Sequence, residues 1–208
     1  MVGLHGHGSD RWQFAKDSRA ECASFREMAA KYQMIAVTPD YRAPTSWMGP
    51  KAEADLVQMI AGIKAQYAIG KVFLVGASMG GASALAFGAL HPDLVDGVVA
   101  MNAPCNHLEF ENFQDAIADS FGGSKTAIPL EYKMRSAEYW PERFTMPVAI
   151  TVGGRDTSAP PDSARRLAVI LKKLHNKVLL INRPMQGHST DAADANTAME
   201  FVISAALH

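Results

Sequence analysis

Short apolar segments alternate with helical segments along the whole chain, and this alternation most restricts the possible fold. Most of the apolar segments are continuous, as expected for strands that are buried on both faces of a sheet. Strands that are connected by helices in this way pair in parallel. Strands are predicted at residues 2–5, 34–38, 71–75, 95–101, 146–152 and 177–181. Helices are predicted at 16–32, 51–67, 162–174 and 191–206, with one more after residue 78.

The predicted fold class is therefore α/β, a three-layer α/β/α sandwich around a mostly parallel sheet of about six strands. We predict that residues 1–208 form a single domain, because no linker, repeat or low-complexity segment divides them. Residues 103–145 interrupt the alternation, since they are mostly polar with scattered aromatic side chains. We predict a partly helical, cap-like insertion there. Its aromatic residues are expected to line a substrate pocket or to form a small core of the insertion.

Composition and charge exclude several classes of function. Hydrophobic residues make up 48% of the chain, charged residues 20%, and the formal net charge is −1. Without a basic cluster, nucleic acid is not an expected partner, and no apolar stretch is long enough to predict a membrane span. Cys22 and Cys105 are expected to fill small apolar spaces, with a disulfide between them as the alternative. We expect a soluble protein, cytoplasmic if Met1 is the native start and secreted if a leader was removed.

One serine is surrounded by very small residues at a predicted strand-to-helix turn. The segment "LVGASMGG" places Ser78 between Gly76 and Gly80 after the apolar run at 71–75. A nucleophilic serine in a sharp, strained turn needs this pattern, because side chains two residues away on either side would collide. We predict that Ser78 is the nucleophile of a hydrolase. The alternative is a glycine-rich turn that only packs a helix on the sheet.

A nucleophilic serine requires a base, and the base requires an orienting acid. His188 follows the last predicted strand, so it lies at the same carboxyl edge of the sheet as the serine. Asp156 follows the preceding strand at the same edge. The other candidate bases, His91, His175 and His208, lie elsewhere along the predicted fold. The alternative roles are a helix cap for His188 and a turn cap for Asp156.

Backbone amides are expected to stabilise the oxyanion that forms during attack on a carbonyl. The first is the amide of Met79, directly after the nucleophile, and the second is the amide of His7 in the loop "HGHGSD". Gly6 and Gly8 allow the backbone of this loop to approach the substrate. The spacing of His5 and His7 also fits a metal site, but no cysteine or carboxylate cluster completes one. No metal or cofactor is therefore predicted.

Two large side chains in the loop after the second predicted strand are candidates for substrate binding. We expect Trp47 and Met48 to form the wall of an acyl or alcohol pocket, with Gly8 on the opposite loop. Together with the polar insertion, this pocket favours a moderately polar ester, such as one linked to a sugar.

Four motifs, "HGHG", "GASMGG", "GGRD" and "GHS", follow one another in an order that resembles the α/β-hydrolase superfamily. The chain is most similar to its compact serine esterases, allied to dienelactone hydrolases and to the catalytic domain of prolyl oligopeptidases. Dienelactone hydrolases have a cysteine where this chain has Ser78. Prolyl oligopeptidases add a large N-terminal domain.

The superfamily resemblance also predicts the order of the strands. The sheet would run 34–38, 2–5, 71–75, 95–101, 146–152, 177–181, without the two strands that usually come first. The strand at 34–38 would then be an edge, which leaves two alternatives: the usual first strands are missing from this sequence, or a second subunit covers the edge in a homodimer.

The resemblance and the motifs together predict a hydrolase of carboxylic esters that works through an acyl-enzyme on Ser78. A small-molecule ester is the expected substrate. The alternatives are a serine peptidase or amidase of the same superfamily and a member that keeps the fold only for binding.

Overall fold

The computed structural model describes residues 1–174 and 177–207. His175 and His208, which the sequence analysis set aside as bases, lie outside the described residues. Within the described part, one sheet contains five parallel strands in the order β1-β2-β3-β4-β5. The strands are β1 Val2–Leu4, β2 Phe73–Ala77, β3 Gly97–Met101, β4 Val148–Gly153 and β5 Val178–Arg183. The parallel sheet and its helical layers confirm the predicted fold class.

The register of the sheet brings the carboxyl ends of the central strands together. Ala77, the last residue of β2, lies opposite Met101, the last residue of β3. Met101 in turn lies opposite Thr151 near the end of β4. Loops that follow these strands therefore meet at one edge of the sheet, where ligands bind in open parallel sheets.

The strand predicted at residues 34–38 is wrong, although this segment does lie next to β1, as the predicted strand order requires. It runs beside β1 and makes a single parallel bridge, between Val37 and Val2. The Gly3 amide donates to the Val37 carbonyl at 2.8 Å, and the Val37 amide donates to the Met1 carbonyl at 2.9 Å. The following segment contains Pro39, which has no amide hydrogen to extend the ladder. The homodimer across this edge stays a prediction.

Eight α-helices cover the sheet in the described part of the chain. They are α1 Trp12–Lys16, α2 Ala20–Lys31, α3 Pro50–Gln66, α4 Met79–Leu90, α5 Gln114–Phe121, α6 Pro129–Met134, α7 Asp162–Lys173 and α8 Ala192–Leu207. The helix predicted at 16–32 begins four residues later, at Ala20, since Asp17 ends α1 in an extended conformation. Among the described residues, no helix has both the length and the apolarity that a bilayer crossing requires.

Strand residues alternate between two apolar clusters, one on each face of the sheet. Leu74 of β2 packs into the cluster formed with α3, α4 and α7, whereas Phe73 and Val75 pack into the cluster formed with α1, α2 and α8. Both faces of the central strands are buried for this reason. This explains the continuous apolar runs in the sequence.

The two cysteines lie in different apolar clusters and are free. Cys22 packs in the cluster around α2 and α8, and Cys105 packs in the cluster on the other face of the sheet. Burial raises the pKa of the Cys22 thiol to about 12. Both therefore fill apolar spaces, as the sequence analysis expected, and they form no disulfide with each other.

The segment between β3 and β4 contains α5, α6 and two short 3₁₀ turns, Ala137–Tyr139 and Pro141–Arg143. Arg135, directly after α6, connects this segment to the rest of the protein through an ion pair and a hydrogen bond. Its guanidinium pairs with Glu53 of α3 at 2.8 Å and donates to the Met48 carbonyl at 2.5 Å. Because the Arg135 side chain is buried, both contacts are shielded from water.

Replacing Gly80 by alanine is expected to destabilise the protein by more than about 3 kcal/mol. A Cβ atom there would overlap the carbonyl oxygen of Leu4, and backbone cannot move aside as a side chain can. Gly62→Ala in α3 is the matched control, since that position is exposed and has open space around it. The control should stabilise the protein by roughly 0.5–1 kcal/mol. Urea unfolding measures both free energies, and equal effects would contradict the proposed close contact.

Candidate active site

Ser78 lies in a strained turn between β2 and α4. Its backbone has φ 56° and ψ −124°, a conformation that is unfavourable for a residue with a side chain. Any Cβ at Gly76 would overlap the Gly80 backbone, and any Cβ at Gly80 would overlap β1. The two glycines therefore allow the tight turn that lifts Ser78 to the carboxyl edge of the sheet.

Surrounding backbone holds the turn in place. The Ser78 amide donates to the Met101 carbonyl at the end of β3, at 2.8 Å, and the Ser78 carbonyl accepts from the Ala82 amide at 3.0 Å. Ser78 is half-buried and stands directly before the first residue of α4. The positive end of the helix dipole is thus beside its hydroxyl and favours negative charge there.

Asp156 and His188 form a direct hydrogen bond. The distance from His188 Nδ1 to Asp156 Oδ2 is 2.6 Å. The second carboxylate oxygen, Oδ1, accepts the amides of Ser158 and Ala159, both at 2.9 Å. Because an ionised carboxylate can only accept, His188 carries a proton on Nδ1, which leaves Nε2 available as a base. The Asp156 side chain is 1% exposed and that of His188 is 33% exposed.

The loops that carry Asp156 and His188 are packed backbone to backbone. The Arg155 amide donates to the Gln186 carbonyl at 2.9 Å, and the Gly154 amide donates to the Arg183 carbonyl, also at 2.9 Å. A Cβ at Gly153 would overlap the carbonyl oxygen of Gly187. Glycine in the "GGRD" segment therefore allows the two loops to approach closely enough for the hydrogen bond.

A buried polar network behind the histidine loop was missed by the sequence analysis. Asn102, directly after β3, donates from Nδ2 to Thr190 Oγ1 at 2.8 Å and accepts the Gly153 amide at 3.1 Å. Thr190 Oγ1 also lies 2.8 Å from Thr151 Oγ1. All three side chains are almost fully buried. The available signal for Asn102 was a polar residue directly after a run of apolar strand residues.

The loop after β1 is held rigidly. His5 is buried, and its ring nitrogens lie 2.9 Å from the Gly6 carbonyl and 3.1 Å from the Asp40 carbonyl. The Tyr41 hydroxyl donates to the His5 carbonyl at 2.7 Å, and the Gly6 amide donates to Gln13 Oε1 at 2.8 Å. His5 thus has a structural role, since its ring and its carbonyl connect this loop to residues 40 and 41.

The two amides predicted to bind an oxyanion are both available as donors. Met79 is the first residue of α4, so its amide lacks an intrahelical acceptor. The His7 amide makes no hydrogen bond to any described residue. By contrast, the neighbouring Gly8 amide donates to the Pro44 carbonyl at 2.8 Å, and Gly8 has φ 76°.

Trp47 and Met48 do not occupy the position predicted for them. Both are buried, with 1% and 0% of their surface exposed, and neither lines the cavity that the described residues form around Ser78. Trp47 packs against Phe110 and Phe113 of the segment after β3. Gly8 also lies outside the cavity lining. The predicted substrate wall is therefore corrected: these two large side chains belong to the core.

A cavity of about 510 Å³ lies over the candidate nucleophile. Ser78 and His188 both line it, but they form no hydrogen bond with each other in the described structure. His7 and Phe113 form one part of its wall. The polar part is formed by residues that the sequence analysis did not single out, which are Ser9, Gln13, Arg19, Glu21, Ser158 and Ser189.

Metal ligands are not grouped at this site or elsewhere in the described residues. No three His, Cys, Asp or Glu side chains there are close enough together to hold a metal ion. The chemistry that the arrangement can support is therefore that of a nucleophile, a base and backbone amide donors.

A family model described as "alpha/beta hydrolase fold" matches residues 7–131. This range includes the loop after β1, the Ser78 turn and the beginning of the segment after β3. A search of curated protein sequences found no match.

Solved structures of several hydrolases share the fold. A truncated carbohydrate esterase from gut microbiota aligns with a TM-score of 0.76 and 17% identity, over 100% of this chain and 85% of that one. The fluorophosphonate-binding serine hydrolase F of Staphylococcus aureus aligns with a TM-score of 0.73 and 15% identity, over 100% and 82%. A putative dipeptidyl aminopeptidase IV from Bacteroides ovatus aligns with 0.75 and 16%, over 99% and 31%. The chain thus spans about a third of that peptidase.

Substitution of Thr190 by valine is expected to destabilise the protein by about 1–3 kcal/mol. The change removes the hydroxyl that accepts from Asn102, so a buried amide hydrogen loses its partner. Thr190→Ser keeps the hydroxyl and is the matched control, with a smaller expected loss from the missing methyl group. Urea unfolding of the two variants measures the difference, and equal losses would show that the hydroxyl contributes nothing.

Proposed function

Because the chain belongs to the α/β-hydrolase family, we propose that it hydrolyses carboxylic esters through an acyl-enzyme formed on Ser78. The observation that carries the proposal is the 2.6 Å hydrogen bond from His188 to Asp156, at a cavity that His188 shares with the strained Ser78. A structural histidine cap would not need a buried carboxylate on Nδ1.

The proposed reaction starts with proton transfer from the Ser78 hydroxyl to His188 Nε2 while the oxygen attacks the ester carbonyl. The C=O electron pair moves to oxygen, and the amides of Met79 and His7 stabilise the resulting oxyanion. The tetrahedral intermediate then collapses, and the imidazolium gives its proton to the departing alkoxide. Asp156 stabilises the imidazolium throughout without accepting its proton.

Water then removes the acyl group by the same kinds of step, with water as the nucleophile and Ser78 as the leaving group. His188 takes a proton from water, and the resulting hydroxide attacks the acyl carbonyl. When the second intermediate collapses, the proton returns to Ser78 Oγ and the carboxylic acid leaves. Each proton that the base accepts is returned, so the enzyme ends in its starting state.

Esters are placed before amides in this proposal because the chain spans 85% of the carbohydrate esterase that shares its fold, but only 31% of the dipeptidyl aminopeptidase. A serine peptidase or amidase is the second candidate, supported by the fold shared with the dipeptidyl aminopeptidase. A binding member without catalysis is the third. The hydrogen-bonded acid and base argue against it, since a binding protein has no use for an unshared Nε2 beside a strained serine.

Ser78→Ala is expected to lower ester hydrolysis by at least about three orders of magnitude and to abolish labelling by a fluorophosphonate probe. The control is Ser83→Ala in α4, the helix that follows Ser78, where the serine is fully buried and does not line the cavity. This control should keep both labelling and activity. Activity of Ser78→Ala close to the parent value would exclude Ser78 as the nucleophile.

Comparison of an aryl ester and an aryl amide with the same acyl group distinguishes the first two candidates. We expect a much larger kcat/KM for the ester, with the amide close to the Ser78→Ala background. Efficient amide cleavage that disappears in Ser78→Ala would favour the peptidase instead. If the parent protein neither reacts with the probe nor cleaves either compound, the binding candidate takes precedence.

A further inference from the structure

The imidazole of His7 has a fixed protonation state in the resting protein. The indole nitrogen of Trp47 lies 3.1 Å from His7 Nδ1. An indole N–H can only donate, so Nδ1 must be an unprotonated acceptor. Trp47 is 1% exposed, which means that its N–H has no water as an alternative partner. The neutral ring therefore carries its hydrogen on Nε2.

Two further observations agree with a neutral, oriented ring. Desolvation lowers the pKa of the His7 imidazole below its usual value, which favours the neutral form. Phe113 packs against the ring with the centroids 4.5 Å apart. Trp47 thus donates to Nδ1 of His7, and Phe113 packs against the imidazole ring.

The second nitrogen of His7 has no assigned partner. Nε2–H makes no hydrogen bond to any described residue, although His7 lines the cavity together with Ser78 and His188. It is a donor at fixed orientation on the wall of the cavity that also contains the candidate nucleophile. A donor held in this way at a binding cavity fits an oxygen acceptor on a ligand.

Charged groups on the cavity wall limit which ligands can provide that oxygen. Arg19 pairs with Asp17 at 2.7 Å and lies 3.9 Å from Glu21. The guanidinium is thus already occupied by carboxylates of this chain, so it is not free to bind a substrate carboxylate or phosphate. The hydroxyl groups of the wall, such as those of Ser9 and Ser189, can donate to and accept from neutral hydroxyl groups of a ligand.

We propose that the His7 side chain is a specificity-determining residue, whose Nε2–H binds a neutral hydroxyl or ether oxygen of the substrate. This inference rests on the proposed ester hydrolysis and names its substrate class, esters of polyhydroxylated alcohols. It also gives His7 two separate roles, because the oxyanion donor is the backbone amide and the selective donor is the ring.

Two variants of His7 separate the two ring nitrogens. The amide oxygen of asparagine takes the place of Nδ1, so His7→Asn keeps an acceptor for Trp47 and loses the donor at Nε2. The amide nitrogen of glutamine takes the place of Nε2, so His7→Gln keeps the donor and loses that acceptor. Glycerol 1-acetate and propyl acetate are a matched pair of substrates, with and without hydroxyl groups on a three-carbon alcohol. The kcat/KM ratio of this pair is measured for each protein by pH-stat titration.

We expect the parent protein to favour glycerol 1-acetate and His7→Asn to lower the ratio by roughly five- to tenfold. His7→Gln should keep most of the preference. Equal losses for both substrates in His7→Asn, or a ratio that falls as far in His7→Gln, would overturn the proposal. Labelling by the fluorophosphonate probe shows in each variant that the Ser78 site is intact. If the parent protein is not labelled by the probe, the proposed function itself is refuted.

The protonation state is tested without any substrate. In protein labelled with ¹⁵N-histidine, the His7 signals are assigned by their loss in His7→Asn. We expect the pattern of a neutral ring protonated at Nε2 near neutral pH. A ring protonated at Nδ1 would contradict the geometry from which the specificity was inferred.

Discussion

The close contact between helix α4 and the first two strands is the constraint on which the rest of the structure depends. Gly76 and Gly80 bring the backbone of β2, α4 and β1 to van der Waals contact, since a single Cβ at either position would overlap a carbonyl oxygen. The contact sets the position of Ser78 at the edge of the sheet. It also places the loop after β1 directly beside the first turn of α4, where the Met79 and His7 amides are available.

A strained nucleophile is compatible with a stable protein because the surroundings over-determine it. Ser78 has an unfavourable φ, but its amide is bonded to the end of β3 and both faces of the sheet are closed by apolar clusters. Strain of this kind costs about 1–3 kcal/mol and persists only in such an environment. The polar network of Asn102, Thr151 and Thr190 does the same for the neighbouring loops. The position of Ser78 and of the neighbouring loops is thus fixed mainly by backbone hydrogen bonds and buried groups, and not by mobile surface side chains.

Local sequence patterns were sufficient for the five strands of the sheet and for its five longest helices. Ser78, Asp156 and His188 were selected because each lies in a loop or turn that follows a predicted strand, and parallel strands necessarily end at one edge. The pattern at 34–38 was apolar enough for a strand. Whether such a segment forms a full ladder depends on how its neighbour in the sheet pairs with it, and the local sequence does not reveal this. Trp47 and Met48 were misplaced for a related reason. Large apolar residues in a loop fit a pocket wall or a core equally well until the segment that covers them is known.

The sequence analysis did not identify the residues that form the polar wall of the cavity. Gln13, Arg19 and Glu21 lie in or beside the first two helices, outside the four motifs, and reach the cavity only through the packing of those helices. Similarly, the tautomer of His7 depends on a tryptophan 40 residues away. Such pairs follow from tertiary contacts, and no local pattern predicts them.

The proposed acid and the proposed base follow strands of unequal burial. Asp156 follows β4, which is fully buried, whereas His188 follows β5, an edge strand with half-buried and exposed residues. Edge elements with few buried contacts open at lower free energy than the centre of a domain. Separation of His188 from Asp156 by local opening of this edge would then precede global unfolding. The proposed base would leave its partner while most of the sheet is still folded.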